Sequence, residues 1–192
     1  MIVKILSNDP GKSNYAYSVV TVSRVGEKLD FSVLENGMIS TTVTQIKESK
    51  ILRKELSAYS KTMKTLERLH KPNCIAAERY MTRGIRGPLV EQINLMLGML
   101  IARTTLPIKL IPAVTWKTAI KREGIDLKGV YKSCKATPHQ IDATLIGIYT
   151  GLQGFKIKGF TGFKPHMKRI IEEIETTSVT RLINRKIKCI AF

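Results

Sequence analysis

The chain has 192 residues, 43% of them hydrophobic, which suits one folded domain with a tail and is too short for two ordinary enzyme domains. Lysine and arginine (32) outnumber aspartate and glutamate (15), so the net charge is +17 and the isoelectric point is near 10.0, values typical of nucleic-acid-binding proteins. The sequence shows no long apolar segment or signal peptide, and its three cysteines lack disulfide or zinc spacing, so we expect a cytoplasmic protein without a membrane partner.

The amino-terminal part predicts three strands that pair as an antiparallel meander. They cover residues 2–6, 14–23 and 29–40. In the second strand, side chains of the segment NYAYSVVTVS alternate in a way that is typical of a half-buried strand. A long helix follows, capped by Thr42 or Thr44 and ended by His70 and the Lys71-Pro72 pair.

The second half of the chain alternates strands with helices. The predicted elements are a buried strand at 74–78, a broadly apolar helix from Pro88, a strand at 108–114 and a helix from Pro138. The basic segment from Trp116 to Lys135 is assigned no element. This order predicts an α/β fold with a mixed sheet flanked by helices.

A change of composition follows residue 153. Residues 1–153 are predicted to form the folded domain, and residues 154–192 a basic extension that packs on or beside it. A short helix is expected from Pro165 to Glu175, and a packing role is favoured over a dedicated DNA-contact arm.

The segment SNDPGKS, residues 7–13, follows the first strand and ends like a phosphate-binding loop. That loop needs a glycine five residues before Gly11, where this chain has Leu6, so a nucleotide site is disfavoured. Two interpretations remain. Asp9 belongs to a simple Asp-Pro-Gly turn, or it is a metal ligand.

Acidic residues are scarce, and three of them lie where elements begin or end. Asp9 ends the first strand, Glu78 ends the fourth, and Asp142 lies one helical turn after His139 near the start of the helix from Pro138. If the first and fourth strands are neighbours, these side chains converge at one edge of the sheet. Such a cluster of oxygen ligands favours Mg²⁺, for which Mn²⁺ can substitute, and a metal-assisted hydrolysis of phosphodiesters.

Each acid also has an ordinary structural explanation. Asp9 suits a turn, Glu78 can pair with Arg79 at the surface, and Asp142 is favourable near a helix amino terminus. The coincidence of all three at switch points of one fold favours the metal site.

These motifs resemble those of the RuvC-type Holliday junction resolvases, within the RNase H and retroviral integrase superfamily, over roughly residues 1–152. The segments that carry the resemblance are ILSNDPGKSNYAYSVV, CIAAERYM and PHQIDATLIGIY. The resemblance implies an RNase H-like mixed five-stranded sheet of order 3-2-1-4-5. It also implies two Mg²⁺ ions held by the acids, with the His-containing version of the family's last motif. The site residues implied are Asp9, Glu78, His139 and Asp142.

The resemblance also implies how DNA is bound. An aromatic or apolar wedge, Tyr80 or Met81, would unstack bases at the crossover, and basic residues would bind phosphates. The predicted phosphate contacts are Arg83, Arg86, Lys117 and Lys121. The helix from Pro88 would form a homodimer interface, so that two active sites face opposed strands.

The expected function is therefore the resolution of four-way DNA junctions by paired, symmetric nicks that leave 5′-phosphate and 3′-hydroxyl ends. Two alternatives stay open. A related RNase H-like nuclease would act on flaps, forks or RNA, and an architectural protein would bind junctions without cutting them. A partner helicase is not identifiable from the residues, and the small lysine-rich chain suggests a phage source.

Overall fold

The computed structural model describes residues 1–11, 14–40, 49–79, 88–157 and 163–179, which build one mixed sheet with helices on both faces. The strands are β1 (Ile2–Pro10), β2 (Asn14–Val25), β3 (Lys28–Ser40), β4 (Cys74–Arg79), β5 (Ile108–Pro112) and β6 (Ser178–Val179). Their order is β5-β4-β1-β2-β3-β6. The first five strands confirm the predicted order 3-2-1-4-5, and the two-residue β6 adds an edge beside β3.

The register of β1 decides where the chemistry of the chain is placed. β1 pairs antiparallel with β2 along its whole length, and parallel with β4, where Asn8 lies opposite Ala77. The next residues along these strands are Asp9 and Glu78, so both carboxylates lie at the same edge of the sheet. The convergence expected from neighbouring first and fourth strands is thus confirmed for this pair.

Six α-helices flank the sheet in the described part of the chain. They are α1 (Ser49–His70), α2 (Pro88–Arg103), α3 (Ala113–Arg122), α4 (Leu127–Ser133), α5 (Pro138–Gly154) and α6 (Met167–Thr177), with a short 3₁₀ turn at Lys164–His166. One sheet face packs on α1 and α2 through a core that includes Leu6, Tyr59 and Met96. The other packs on α3, α5 and α6. Among the described helices, none combines the length and apolar content that crossing a lipid bilayer requires.

Two helices, α3 and α4, occupy the basic segment to which no element was assigned. The fifth strand also ends at Pro112, so the prediction of strand as far as residue 114 was wrong, because the chain turns directly into α3. Trp116 and Ile120 recur one helical turn apart and are fully buried, whereas lysines occupy much of the remaining surface. The high density of charge obscures this narrow apolar stripe in the sequence.

Helix α5 lies unusually close to β1 and β2 because two of its residues have no side chain. A Cβ atom on Gly147 would lie 2.6 Å from Ser7 Oγ, and one on Gly151 would lie 2.4 Å from Val22 Cγ2. The helix begins with a capping box in which Thr137 accepts from the Gln140 amide. These contacts and the cap fix both the depth and the starting point of α5.

Residues 163–179 pack on the outer part of the sheet. Phe163, Ile170 and Ile174 are buried in the same core as α5, and Glu173 accepts a hydrogen bond from the Val33 amide. The predicted short helix is present as α6, beginning at Met167. The tail that follows, 180–192, lies outside the described residues.

Candidate active site

The structure brings four predicted site residues together at the edge of the sheet where β1 and β4 end. Asp9 is 5% exposed, Asp142 is 6% exposed, and Glu78 is partly buried. His139 and Asp142 lie one turn apart on α5, which crosses this edge. His139 Nδ1 donates to Asp9 Oδ2 at 2.6 Å, which joins α5 directly to the end of β1.

A buried polar network positions the first turn of α5. Asn36 of β3 donates to the Gln140 carbonyl oxygen at 3.0 Å and to Thr144 Oγ1 at 2.8 Å, and it accepts from Gln140 Nε2 at 2.9 Å. Thr144 donates to Ser18 Oγ of β2. Since Gln140 lies between His139 and Asp142, this network limits movement of both site residues relative to the sheet.

Each carboxylate of the site also has a hydrogen bond from an aromatic side chain. Trp116 Nε1 donates to Glu78 Oε2 at 3.1 Å, and the Tyr131 hydroxyl donates to Asp142 Oδ1 at 2.5 Å. Trp116 and Tyr131 were missed as site residues in the sequence, because they lie on α3 and α4, the two helices that were not predicted. The only available signal was a single tryptophan on the apolar stripe of a basic segment.

Lys117 lies inside the acid cluster. Its Nζ atom is 2.9 Å from Asp142 Oδ2 and 4.8 Å from the centre of the Trp116 ring. Lys117 was predicted to contact a phosphate, and its ammonium contacts Asp142 in the structure. Lys121, one turn further along α3, is exposed. Lys117 supplies positive charge where three carboxylates would otherwise repel one another.

The electrostatics of the site reflect burial and crowding of like charges. Burial, followed by the charge of Asp9, raises the pKa of Glu78 from 4.5 to about 7. Burial also raises the pKa of Asp142, against the hydrogen bonds from Tyr131 and Lys117. The hydrogen bond to Asp9 raises the pKa of His139. For Lys117, burial lowers the pKa, but the bond and charge of Asp142 outweigh it and the net shift is upward.

The donor set suits a hard divalent cation. Carboxylate oxygens are the ligands that Mg²⁺ and Mn²⁺ prefer. Asp9 Oδ1 and Glu78 Oε1 have no hydrogen-bond partner among the described residues. As the side chains stand, no three His, Cys, Asp or Glu groups in the described ranges converge closely enough to ligate one ion. The residues therefore fit such a cation by the chemistry of their donor atoms, and their side chains would have to move closer together to hold it.

The predicted wedge and two of the predicted phosphate contacts lie outside the described residues. These are Tyr80, Met81, Arg83 and Arg86, which belong to residues 80–87 between β4 and α2.

The sheet order and the helices on both faces match the RNase H-like fold. The fold is similar to that of Thermus thermophilus RuvC, with 18% identity, a TM-score of 0.60, and coverage of 81% of this chain and 97% of that one. It is also similar to T. thermophilus RuvC in complex with Holliday junction substrate, with 17% identity, a TM-score of 0.58, and coverage of 81% and 96%. Neither a protein-family model nor a curated protein sequence matches the chain.

Proposed function

We propose that the protein is a RuvC-type endonuclease that cuts branched DNA, chiefly four-way junctions, with the help of a divalent cation. The observation that carries the proposal is the convergence of Asp9, Glu78, His139 and Asp142 at one edge of an RNase H-like sheet. Two facts support it further. The net charge of +17 suits a polyanionic substrate, and T. thermophilus RuvC, which has a similar fold, has been seen in complex with Holliday junction substrate.

The carboxylates of Asp9, Glu78 and Asp142 would hold the cations, with His139 beside them. When bound, two Mg²⁺ ions would make a water molecule nucleophilic and stabilise the departing 3′ oxygen of the phosphodiester. The products would then carry 5′-phosphate and 3′-hydroxyl ends. Mn²⁺ would substitute for Mg²⁺, since both prefer oxygen ligands.

His139 and Lys117 are the residues of the chain that would act on water and phosphate. The Nδ1 atom of His139 is held by Asp9, and its side chain is 43% exposed, so Nε2 can orient the attacking water or accept its proton. Lys117 Nζ lies beside the acids and the Lys117 side chain is 40% exposed, so it can bind the phosphate that carries the scissile bond. Lys121, Arg83 and Arg86 would bind neighbouring phosphates, and Tyr80 or Met81 would be the wedge.

A homodimer would explain two symmetric nicks, because two sites related by a two-fold axis face opposed strands of a junction. Helix α2 supports this proposal through its apolar surface. In the single chain, Leu95 is 47% exposed and Ile101 is 50% exposed. A partner subunit would cover these apolar side chains. Light scattering of the protein bound to a junction should give the mass of a dimer, and a monomer on the DNA would contradict the proposal.

Cleavage assays on matched substrates test the function. A synthetic four-way junction, a flap and a linear duplex of the same sequence would be incubated with Mg²⁺ and with EDTA. We expect paired nicks in the junction only with Mg²⁺, and no cleavage by the control variant Asp142→Asn. Tight binding without cleavage of any branched substrate would favour the architectural alternative. Equal cleavage of flap and junction would favour a broader RNase H-like nuclease.

A further inference from the structure

The three carboxylates of the site share one pattern of hydrogen bonding. In each, one oxygen accepts a hydrogen bond from an aromatic side chain: His139 on Asp9, Trp116 on Glu78, and Tyr131 on Asp142. The second oxygens of Asp9 and Glu78 have no partner among the described residues, and that of Asp142 binds Lys117.

Trp116 is built to hold Glu78 in one orientation. Its ring is fully buried in the core, so the indole cannot turn away, and its N–H group can only donate. An indole N–H buried without a partner is unfavourable, which commits it to Glu78 Oε2 at 3.1 Å. The carboxylate of Glu78 is thereby prevented from rotating freely.

Tyr131 and Lys117 hold different oxygens of Asp142. The Tyr131 hydroxyl contacts Asp142 Oδ1 at 2.5 Å, while Lys117 contacts Oδ2 at 2.9 Å. The two donors come from α4 and α3, so packing of both helices decides the orientation of an acid on α5. A cation that binds Oδ2 must replace the Lys117 ammonium, but it need not disturb Tyr131.

We propose that Trp116 and Tyr131 are positioning residues, each of which holds one oxygen of a carboxylate so that the other oxygen is presented to a divalent cation. This inference rests on the proposed function for the presence of the cation, and it adds which residues orient the individual carboxylates. Hydrogen-bonding partners of ligating groups typically change metal affinity by about 10–100-fold when removed. Neither residue would touch the cation or the DNA phosphate.

Direct measurement of cation binding tests the role of Tyr131. The variant Tyr131→Phe keeps the ring and removes only the hydroxyl, and Tyr59→Phe is a matched control, because the Tyr59 hydroxyl is buried on the other face of the sheet. Mn²⁺ binding would be followed by electron paramagnetic resonance, together with urea unfolding. We expect the dissociation constant for Mn²⁺ to rise about tenfold in Tyr131→Phe, and to stay within twofold of wild type in Tyr59→Phe.

The outcomes separate this inference from the proposed function. If wild type binds Mn²⁺ and Tyr131→Phe binds it equally tightly while folded, the positioning role is wrong and the cation site stands. If wild type binds no Mn²⁺, both are wrong. Activity gives a second readout, since excess Mg²⁺ should restore the kcat of Tyr131→Phe if only cation affinity is lost, and an unrestored kcat would contradict a pure positioning role.

Trp116 provides its own optical test, because it is the only tryptophan in the chain. Cation binding at Glu78 changes the charge at the acceptor of the indole N–H group, so Mg²⁺ should shift the fluorescence of wild type. The midpoint of this shift should match the midpoint of the Mn²⁺ titration, once the different affinities of the site for the two cations are taken into account. The shift should disappear in Glu78→Gln. Saturation of the site without any change of fluorescence would show that Trp116 is not coupled to the cation ligands.

Discussion

Replacing Gly147 by alanine would test whether the depth of α5 positions the acids. An alanine Cβ would lie 2.6 Å from Ser7 Oγ and 2.7 Å from Val20 Cγ2, whereas ordinary contacts begin at 3.4 Å. The helix would therefore have to move from the sheet by about 0.8 Å at this point. Asp142 lies about 7.5 Å away along the same helix, so much of this movement would reach the site.

The energetic effect of Gly147→Ala combines two opposed contributions. Overpacking in a close-packed core costs about 1–3 kcal/mol, and the better helix propensity of alanine offsets about 1 kcal/mol of this cost. We expect a net loss of about 0–2 kcal/mol in the free energy of unfolding, measured with urea. Because Asp142 moves relative to Asp9, Mn²⁺ binding and junction cleavage should weaken as well.

The control for this variant is Gly154→Ala in the same helix. No described atom lies within 4 Å of a Cβ at Gly154, so this change should leave stability within about 0.5 kcal/mol and should not affect cation binding. If Gly147→Ala is as stable and as active as Gly154→Ala, the close approach of α5 to β1 and β2 does not hold in solution, and the reasoning is refuted.

Three further predictions concern charge and buried polarity. Lys117→Met should lower the melting temperature of the cation-free protein, because the ammonium no longer neutralises Asp142. Mg²⁺ should then raise the melting temperature more than it does in wild type. An unchanged response to Mg²⁺ would argue against competition between the Lys117 ammonium and Mg²⁺. In EDTA, the stability contributed by Glu78 should be present below pH 4.5 and lost as the pH rises through about 7, because the pKa of Glu78 is raised in the folded protein. Urea unfolding of Glu78→Gln should show a flatter dependence of stability on pH. A wild-type profile identical to that of the variant would show that Glu78 titrates normally. Asn36→Ala should destabilise the protein by roughly 2 kcal/mol or more, because Gln140 loses a buried partner; calorimetry showing a loss below about 0.5 kcal/mol would mean that water replaces the amide.

The position of Lys117 allows two roles, contact with a DNA phosphate and contact with an acid of the site. Its place in a basic segment predicts a phosphate contact, and the structure puts its ammonium on Asp142 instead of in open solvent. Both roles are compatible if a cation replaces the ammonium on Asp142 and the DNA phosphate then becomes the partner of Lys117. The exposed side chain of Lys121, one turn along, has no such acid among the described residues and remains a predicted phosphate contact.

Much of the fold could be predicted because its signals are local. The alternation in β2, the Pro138 start of α5 and the apolar run of β4 are patterns of consecutive residues, and they are present as expected. Parallel pairing of β1 with β4 then places Asp9 and Glu78 together without further information. The segment of α3 and α4 could not be predicted in this way, because dense charge on their exposed faces masks a short apolar stripe.

Residue type and order were therefore enough to predict which four acid and imidazole groups lie together at the candidate site. Their hydrogen-bond partners were not. Trp116 and Glu78 are separated by 38 residues, and Lys117 and Asp142 by 25, so no local pattern connects them. Only the packing of α3 and α4 against the end of the sheet decides which oxygen of each carboxylate is held and which faces a cation, because that choice depends on angles and distances between elements.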